Sequence, residues 1–207
     1  MDFYMIVNQA LKKPLPGIKA QMKMAPEFRT LSEEGSVRKK AAVSIIILPE
    51  PSFELILIKR TQYEGYHSGQ ISFPGGKKEK NDHSLLDTAI RETYEEIGIK
   101  LCGSDLLGIL TPLQIPVSGF LVSPHVFKYN GSVNFKLDDH EVKYIIREPI
   151  VIFFDRNTIK HKTMTLMNTK INVPYYDIQG ETIWGATAMI LSEFIEILKR
   201  TSVYRKK

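Results

Sequence analysis

Residues 84–98 carry the pattern that most restricts the fold, because they predict a helix with one apolar face and one acidic face. Ser84 is a typical N-cap residue, and Asp87 stands at the third helical position, as in a capping box. Gly98 is suited to ending the helix. At 3.6 residues per turn, the apolar face consists of Leu86, Ala89, Ile90, Thr93 and Ile97. Only this side can pack against a core, and the rest of the chain must supply that core.

The opposite face of this helix gathers Glu92, Glu95 and Glu96. Like charges at these spacings repel one another on a helix. A divalent cation such as Mg²⁺ or Mn²⁺ removes the repulsion, and carboxylate oxygens are the ligands these ions prefer. The alternative is an ordinary solvated face neutralised by Arg91 and nearby lysines. Just upstream, Pro74-Gly75-Gly76 ends a β-like run, and its glycines allow backbone to approach a metal or a phosphate.

The rest of the chain predicts a mixed α/β domain. Phe3, Ile6, Val7, Ala10 and Leu11 are spaced as in an amphipathic helix, which prolines at 14 and 16 end. A late helix is expected at 184–199. Strands are expected at 41–48, 53–58, 68–73, 106–113, 120–129, 150–154, 163–167 and 171–176, with the first two forming a hairpin. This order predicts an α/β/α sandwich around a mixed β-sheet.

Composition predicts a single intracellular domain. At 207 residues and 43% hydrophobic content, the chain can bury one large core. We expect an N-terminal helix and wrapping arm at 1–37, the main domain at 38–200 and a basic tail at 201–207. The single cysteine, Cys102, cannot form an internal disulfide, and no leader or bilayer-spanning run is evident, so a cytoplasmic location and no membrane contact are expected. The formal charge of +5 lies largely in the tail, which makes a nucleic-acid partner unlikely.

Residues 76–99 resemble the Nudix box, the signature of Nudix hydrolases. The likeness rests on Gly76, Asp82 and the run Arg91-Glu92-x-x-Glu95-Glu96-x-Gly98-Ile99. Asp82 stands where the usual box has glutamate, and one extra residue separates it from Arg91. The resemblance implies metal-dependent hydrolysis of a nucleoside-diphosphate-linked small molecule.

Residues 56–76 are similar to the signature found upstream of the box in the coenzyme A pyrophosphatase branch of this family. Arg60, Gly69 and Phe73 to Gly76 match it, whereas Gly65 stands where that signature has arginine. Further similar segments lie at 15–17, 24–26, 117–120 and 183–188, so the likeness spans nearly the whole chain. It implies cleavage of CoA or acyl-CoA to 3',5'-ADP and 4'-phosphopantetheine or its acyl form.

The resemblance also implies roles for individual residues. Metal ligands would be Glu92, Glu96, Glu95 and the Gly76 carbonyl, holding Mg²⁺ or Mn²⁺. Catalytic roles fall to Glu95 as an alternative base, to Arg91 as the partner of the acids, and to Glu141 as a distal general base. Glu141 is otherwise a surface acid beside a solvated turn. Substrate contacts would come from Arg60, His67, Gln70, Phe73 and Gly75.

Three other interpretations stay open. In the first, the substrate is ADP-ribose, NADH or another nucleoside diphosphate derivative. In the second, the chain is a non-catalytic sensor that binds a nucleotide. Action on nucleic acid ends ranks lowest, because no aromatic-basic binding motif is present. The N-terminal helix either covers a homodimer interface or only caps the core.

Overall fold

The computed structural model describes residues 2–27, 29, 39–49, 52–62, 67–166 and 169–201. Within these residues the α-helices are α1 (Phe3–Leu11), α2 (Ile18–Gln21), α3 (Leu85–Ile97) and α4 (Gly185–Lys199). The strands are β1 (Lys39–Ile47), β2 (Glu54–Arg60), β3 (Ile71–Ser72), β4 (Gly75–Lys77), β5 (Leu106–Ile109), β6 (Leu113–Ile115), β7 (Phe120–Lys128), β8 (Val142–Pro149), β9 (Ile159–Leu166), β10 (Thr169–Ile178) and β11 (Glu181–Trp184). None of the helices in these residues has the length and apolar character that crossing a lipid bilayer requires.

The main sheet is mixed, as the sequence predicts. Its strands run in the order β3-β2-β1-β7-β5, with β4 beside β1, β6 beside β7 and β8 beside β2. β1 and β7 pair in parallel along their whole length, from Lys39 opposite Phe120 to Ile47 opposite Lys128. The other pairs of this sheet are antiparallel, including the predicted β1–β2 hairpin. A second sheet contains β9, β10 and β11.

Helices cover both faces of the main sheet, so the predicted α/β/α sandwich is confirmed. Successive residues of β1 point to opposite faces, which places Ile45 and Ile47 in one core and Ile46 in the other. The first core includes α1 and α4, and the second includes the apolar face of α3. The acidic helix and the late helix therefore lie on opposite sides of the sheet.

The N-terminal helix packs on the same core as the rest of the domain. The Phe3 ring stacks on Phe53 with centroids 4.0 Å apart, and the Asn8 side-chain amide donates to the Leu107 carbonyl over 2.7 Å. Most of the predicted wrapping arm, the glycine at 65 and the basic tail after Thr201 lie outside the described residues.

Two of the predicted strands are wrong in part. Residues 150–154 form a 3₁₀-helix, and the strand lies just before it in β8, which ends at Pro149 because proline has no N–H to continue the ladder. The strand predicted at 106–113 is split into β5 and β6, with Pro112 between them. Gly75 and Gly76, which the sequence predicts as a turn, also form β4 against the middle of β1. That pairing fixes the glycines at the edge where the site is built.

Candidate active site

The acidic helix α3 is held at both ends and along its apolar face. Ser84 and Asp87 form the predicted capping box, and Gly98 ends the helix with φ of 74°. In the middle, the Thr93 hydroxyl donates to Ser44 Oγ over 2.8 Å, which joins α3 to β1. These contacts orient the three glutamates toward the edge of the sheet where β4 lies.

Glu96 is buried between β4 and the end of β2. Its Oε2 accepts a hydrogen bond from the Gly75 N–H over 2.7 Å, and its Oε1 accepts one from Arg60 Nη1 over 3.0 Å. Arg60 Nη2 also lies 3.3 Å from Glu141 Oε2. Burial raises the pKa of Glu96 to about 7, although the Gly75 N–H and Arg60 oppose this effect. Arg60 therefore joins the helix to the predicted distal base.

Glu92 lies directly against Gly76. A Cβ on residue 76 would be 2.4 Å from Glu92 Oε2, so only glycine leaves room for the carboxylate in this position. Burial raises the pKa of Glu92, and the guanidinium of Arg91 acts in the opposite direction. The glycine and the acid thus form one arrangement, as the sequence pattern predicts.

Arg91 is the centre of an ion-pair network rather than a partner of one acid. Its Nη1 lies 3.0 Å from Glu92 Oε1 and 2.7 Å from the exposed carboxylate of Glu95. Its Nε and Nη2 donate to the two carboxylate oxygens of Asp82, each over 3.0 Å. Asp82 is buried and also accepts from the Thr88 hydroxyl over 2.9 Å. Asp82 therefore positions Arg91, which in turn positions the glutamates.

A cavity of about 230 Å³ opens on the other side of β4. The five residues predicted to contact substrate, Arg60, His67, Gln70, Phe73 and Gly75, all line it, together with Gly76. Its remaining walls come from β1, β3, β6, β7 and the first turns of α4. Phe73 is also part of the core, at 2% exposure. The cavity and the acidic face of α3 meet at the two glycines and Arg60.

The donor groups fit a hard divalent cation in chemical type. Glu92, Glu95, Glu96 and Glu141 supply carboxylate oxygens, and Gly76 leaves space beside one of them. Among the residues that the structure describes, no three carboxylate, imidazole or thiol side chains already surround one point as a metal site would. Arg60 and Arg91 instead contact the carboxylates. The carboxylate oxygens that could bind a cation therefore include ones that the two arginines contact.

The sequence did not reveal two features of this site. Arg60 was predicted only to contact substrate, and its bridge between Glu96 and Glu141 joins residues 36 and 81 positions away along the chain. Ser72 and Ser118 line the cavity as well, and although both lie in segments that resemble the coenzyme A pyrophosphatase branch, the resemblance assigned neither residue a role. Such long-range contacts depend on strand pairing that the local pattern does not specify.

Comparison with known proteins shows the family of the chain. Residues 38–155, which include α3, Arg60, both glycines and Glu141, match the model of the NUDIX domain. The chain is 30% identical over 173 residues to a Pectobacterium atrosepticum protein named as an uncharacterized Nudix hydrolase NudL, covering 84% of this chain and 88% of that protein. It is also 30% identical over 200 residues to the protein of the same name from Yersinia pestis, covering 90% of this chain and 94% of that protein.

A solved structure shows the same fold. The MutT protein from Methanosarcina mazei Go1 aligns with a TM-score of 0.54 at 18% identity, covering 85% of this chain and 100% of that chain. This likeness shows the fold, and the domain match and the two relatives show the family. The chain belongs to the Nudix hydrolase family.

Proposed function

We propose that the protein is a metal-dependent diphosphatase that cleaves CoA or acyl-CoA to 3',5'-ADP and 4'-phosphopantetheine or its acyl form. The observation that carries this proposal is the position of Gly75 and Gly76. They contact two glutamates of α3 on one side and line the cavity on the other. A diphosphate placed along this strand has its charged centre beside the acids and one of its arms in the cavity.

Glu92 and Glu96 are the leading metal ligands in this proposal, with Glu95 and the Gly76 carbonyl completing the set. A bound Mg²⁺ or Mn²⁺ neutralises phosphate charge and lowers the pKa of a coordinated water. Arg91, fixed by Asp82, holds Glu92 and Glu95 in orientation, as outer partners of metal ligands commonly do. Arg60 gives a second positive charge at the edge of the cavity.

Hydrolysis requires that a water oxygen forms a bond to one phosphorus while the bridging P–O bond breaks. The proton released by the water passes to a carboxylate, and the bridging oxygen leaves on the second phosphate. Glu141 is the proposed base, because Arg60 holds its Oε2 close to Glu96. Glu95 is the alternative base, and its exposed carboxylate lies 2.7 Å from Arg91 Nη1.

Product analysis tests the proposal directly. Purified protein is incubated with CoA and Mg²⁺ or Mn²⁺, and the products are separated by chromatography. We expect equal amounts of 3',5'-ADP and 4'-phosphopantetheine. Turnover of ADP-ribose or NADH without turnover of CoA would move the protein to another substrate class within the family.

The Glu96→Gln variant tests the metal-site assignment. We expect kcat to fall about 100-fold or more, because one carboxylate ligand is lost where negative charge offsets the cation. Glu196→Gln, which changes a glutamate near the end of α4, is the matched control and should keep full activity. Equal turnover by the wild type and Glu96→Gln would refute the assignment. If both proteins bind a nucleotide and neither turns over any substrate, the result would support a non-catalytic sensor.

A further inference from the structure

Two serine hydroxyl groups in the cavity wall are buried and lack a hydrogen-bond partner among the residues that the structure describes. Ser72 lies in β3 and Ser118 in the turn between β6 and β7, and both residues line the cavity. Neither Oγ atom makes a hydrogen bond to any residue in the described part of the chain. Leaving a hydroxyl buried and unpaired costs free energy, so such groups in native proteins usually serve a water or a ligand.

Three other neutral polar side chains of the cavity wall have partners. The Thr187 hydroxyl donates to the Ile71 carbonyl over 3.0 Å, and His67 Nδ1 lies 3.2 Å from Gln70 Oε1. Ser72 and Ser118 differ from them, because their buried hydroxyl oxygens have no hydrogen-bond partner among the described residues. A change of χ1 is enough to turn a serine hydroxyl toward a bound molecule.

The walls around these serines are mainly aliphatic. Ile71, Ile115, Val122 and Ile190 come from four different elements and line the cavity. The lysine and arginine side chains of the lining are Arg60 and Lys77. They belong to β2 and β4, beside which the proposed function places the diphosphate. A 3'-phosphate held deep in this cavity would lose its water without gaining a cation, which is strongly unfavourable.

We infer that the cavity binds the uncharged, amide-bearing arm of the substrate and that Ser72 and Ser118 determine specificity for it. This inference rests on the proposed function and assigns the pantetheine half to the cavity. Each hydroxyl can both donate to an amide carbonyl and accept from an amide N–H, while the aliphatic walls contact the carbon chain. The phosphorylated adenosine half then lies outside the cavity, where solvent hydrates its charge.

Binding of the two product halves tests the inference. Calorimetric titrations with Mg²⁺ present measure the affinities of 4'-phosphopantetheine and 3',5'-ADP for the wild type, Ser72→Ala, Ser118→Ala and the double variant. We expect each single change to weaken 4'-phosphopantetheine binding about tenfold, as loss of a hydrogen bond predicts, with 3',5'-ADP binding unchanged. Ser104→Ala, at an exposed serine outside the cavity, should change neither affinity.

The variants also carry an internal check on folding. Because each change removes a buried hydroxyl without a described partner, the ligand-free variants should melt at the wild-type temperature or above it. Four outcomes would overturn the inference. In three of them, the variants bind 4'-phosphopantetheine as tightly as the wild type does, lose affinity equally for both probes, or lose affinity for 3',5'-ADP alone. In the fourth, the wild type binds neither probe. Absence of CoA cleavage with the expected binding pattern would refute the proposed function and leave the assignment of the cavity standing.

Discussion

At the scale of single residues, the site depends on how closely side chain and backbone approach one another. The sequence predicted that the glycines before α3 let the backbone approach a metal or a phosphate. In the structure the groups that approach them are carboxylates, with Glu92 against Gly76 and Glu96 on the Gly75 N–H. The pairing of Arg60 with Glu96 and Glu141 was not predictable. Nothing in the local pattern shows that a residue at the end of β2 lies between two acids from distant segments.

Gly76→Ala tests the close approach. The new Cβ would lie within 2.7 Å of all three carboxylate atoms of Glu92, so the glutamate must move away from β4. We expect CoA turnover to fall at least tenfold, because a ligand displaced by about 1 Å no longer has the required geometry. Steady-state kinetics with Mg²⁺ measures this effect.

Gly103→Ala is the matched control for this change. A Cβ at residue 103 meets nothing within 4 Å, so its activity and melting temperature should equal those of the wild type. If Gly76→Ala retained wild-type turnover while the control behaved as expected, Glu92 would not act from the position seen beside β4.

At the scale of secondary-structure elements, helix α3 was predictable and strand β4 was not. The limits of α3 depend on local chemistry, since Ser84, Asp87 and Gly98 cap it and its apolar stripe fixes the buried face. β4 contains three residues and forms only because β1 offers a partner. The 3₁₀-helix after Pro149 was missed for a related reason, because apolar residues in a short run suit a buried strand equally well.

The link between Asp82 and Arg91 predicts a pH-dependent contribution to the stability of α3. Hydrogen bonds from Arg91 hold the pKa of Asp82 well below its usual range. At pH values above the ordinary aspartate pKa of about 4, Asp82 therefore stabilises the folded state. This stabilisation is lost as the pH falls from there toward the lower pKa that Asp82 has in the folded state. Asp82→Asn should reduce the free energy of unfolding by about 2 kcal/mol at neutral pH.

Urea unfolding at pH 7 and at about pH 3.5 checks this prediction. The difference between the wild type and Asp82→Asn should shrink at the lower pH, because Asp82 binds a proton there in the unfolded chain, whereas in the folded state it stays ionised beside Arg91. Asp139→Asn, at an exposed aspartate, is the control and should show little difference at either pH. A difference of the same size at both pH values would mean that Asp82 acts through packing and not through its charge.

At the scale of the whole molecule, the site exists because distant segments pair. β1 and β7 are parallel neighbours although about 80 residues separate them, and this pairing brings Ser118 and Phe120 to the cavity that β3 and β4 line. The sequence predicted a mixed sheet between helices from the order of its elements. Apart from the β1–β2 hairpin, it did not predict which strands are neighbours, because pairing between distant segments depends on contacts that leave no local trace.

The N-terminal segment is joined to this assembly through a buried carboxylate on α4. Glu193 is fully buried, and its Oε1 accepts from the Gly17 N–H over 3.1 Å and from the Thr111 hydroxyl over 2.7 Å. Its Oε2 accepts from the Gln21 side-chain amide over 2.8 Å. One side chain thus connects α4, the segment around α2 and the loop between β5 and β6.

Glu193→Ala should therefore destabilise the whole molecule and not only α4. Four donors, from Gly17, Gln21 and Thr111, lose an acceptor and a cavity forms, so we expect the free energy of unfolding to fall by about 3 kcal/mol or more. Glu196→Ala, one turn along the helix at a surface pair with Lys23, should cost about 1 kcal/mol or less. Urea unfolding followed by circular dichroism gives both values. A single transition with a lower midpoint for Glu193→Ala would show that the N-terminal segment unfolds together with the domain, whereas an early separate transition would show that it is an independent appendage.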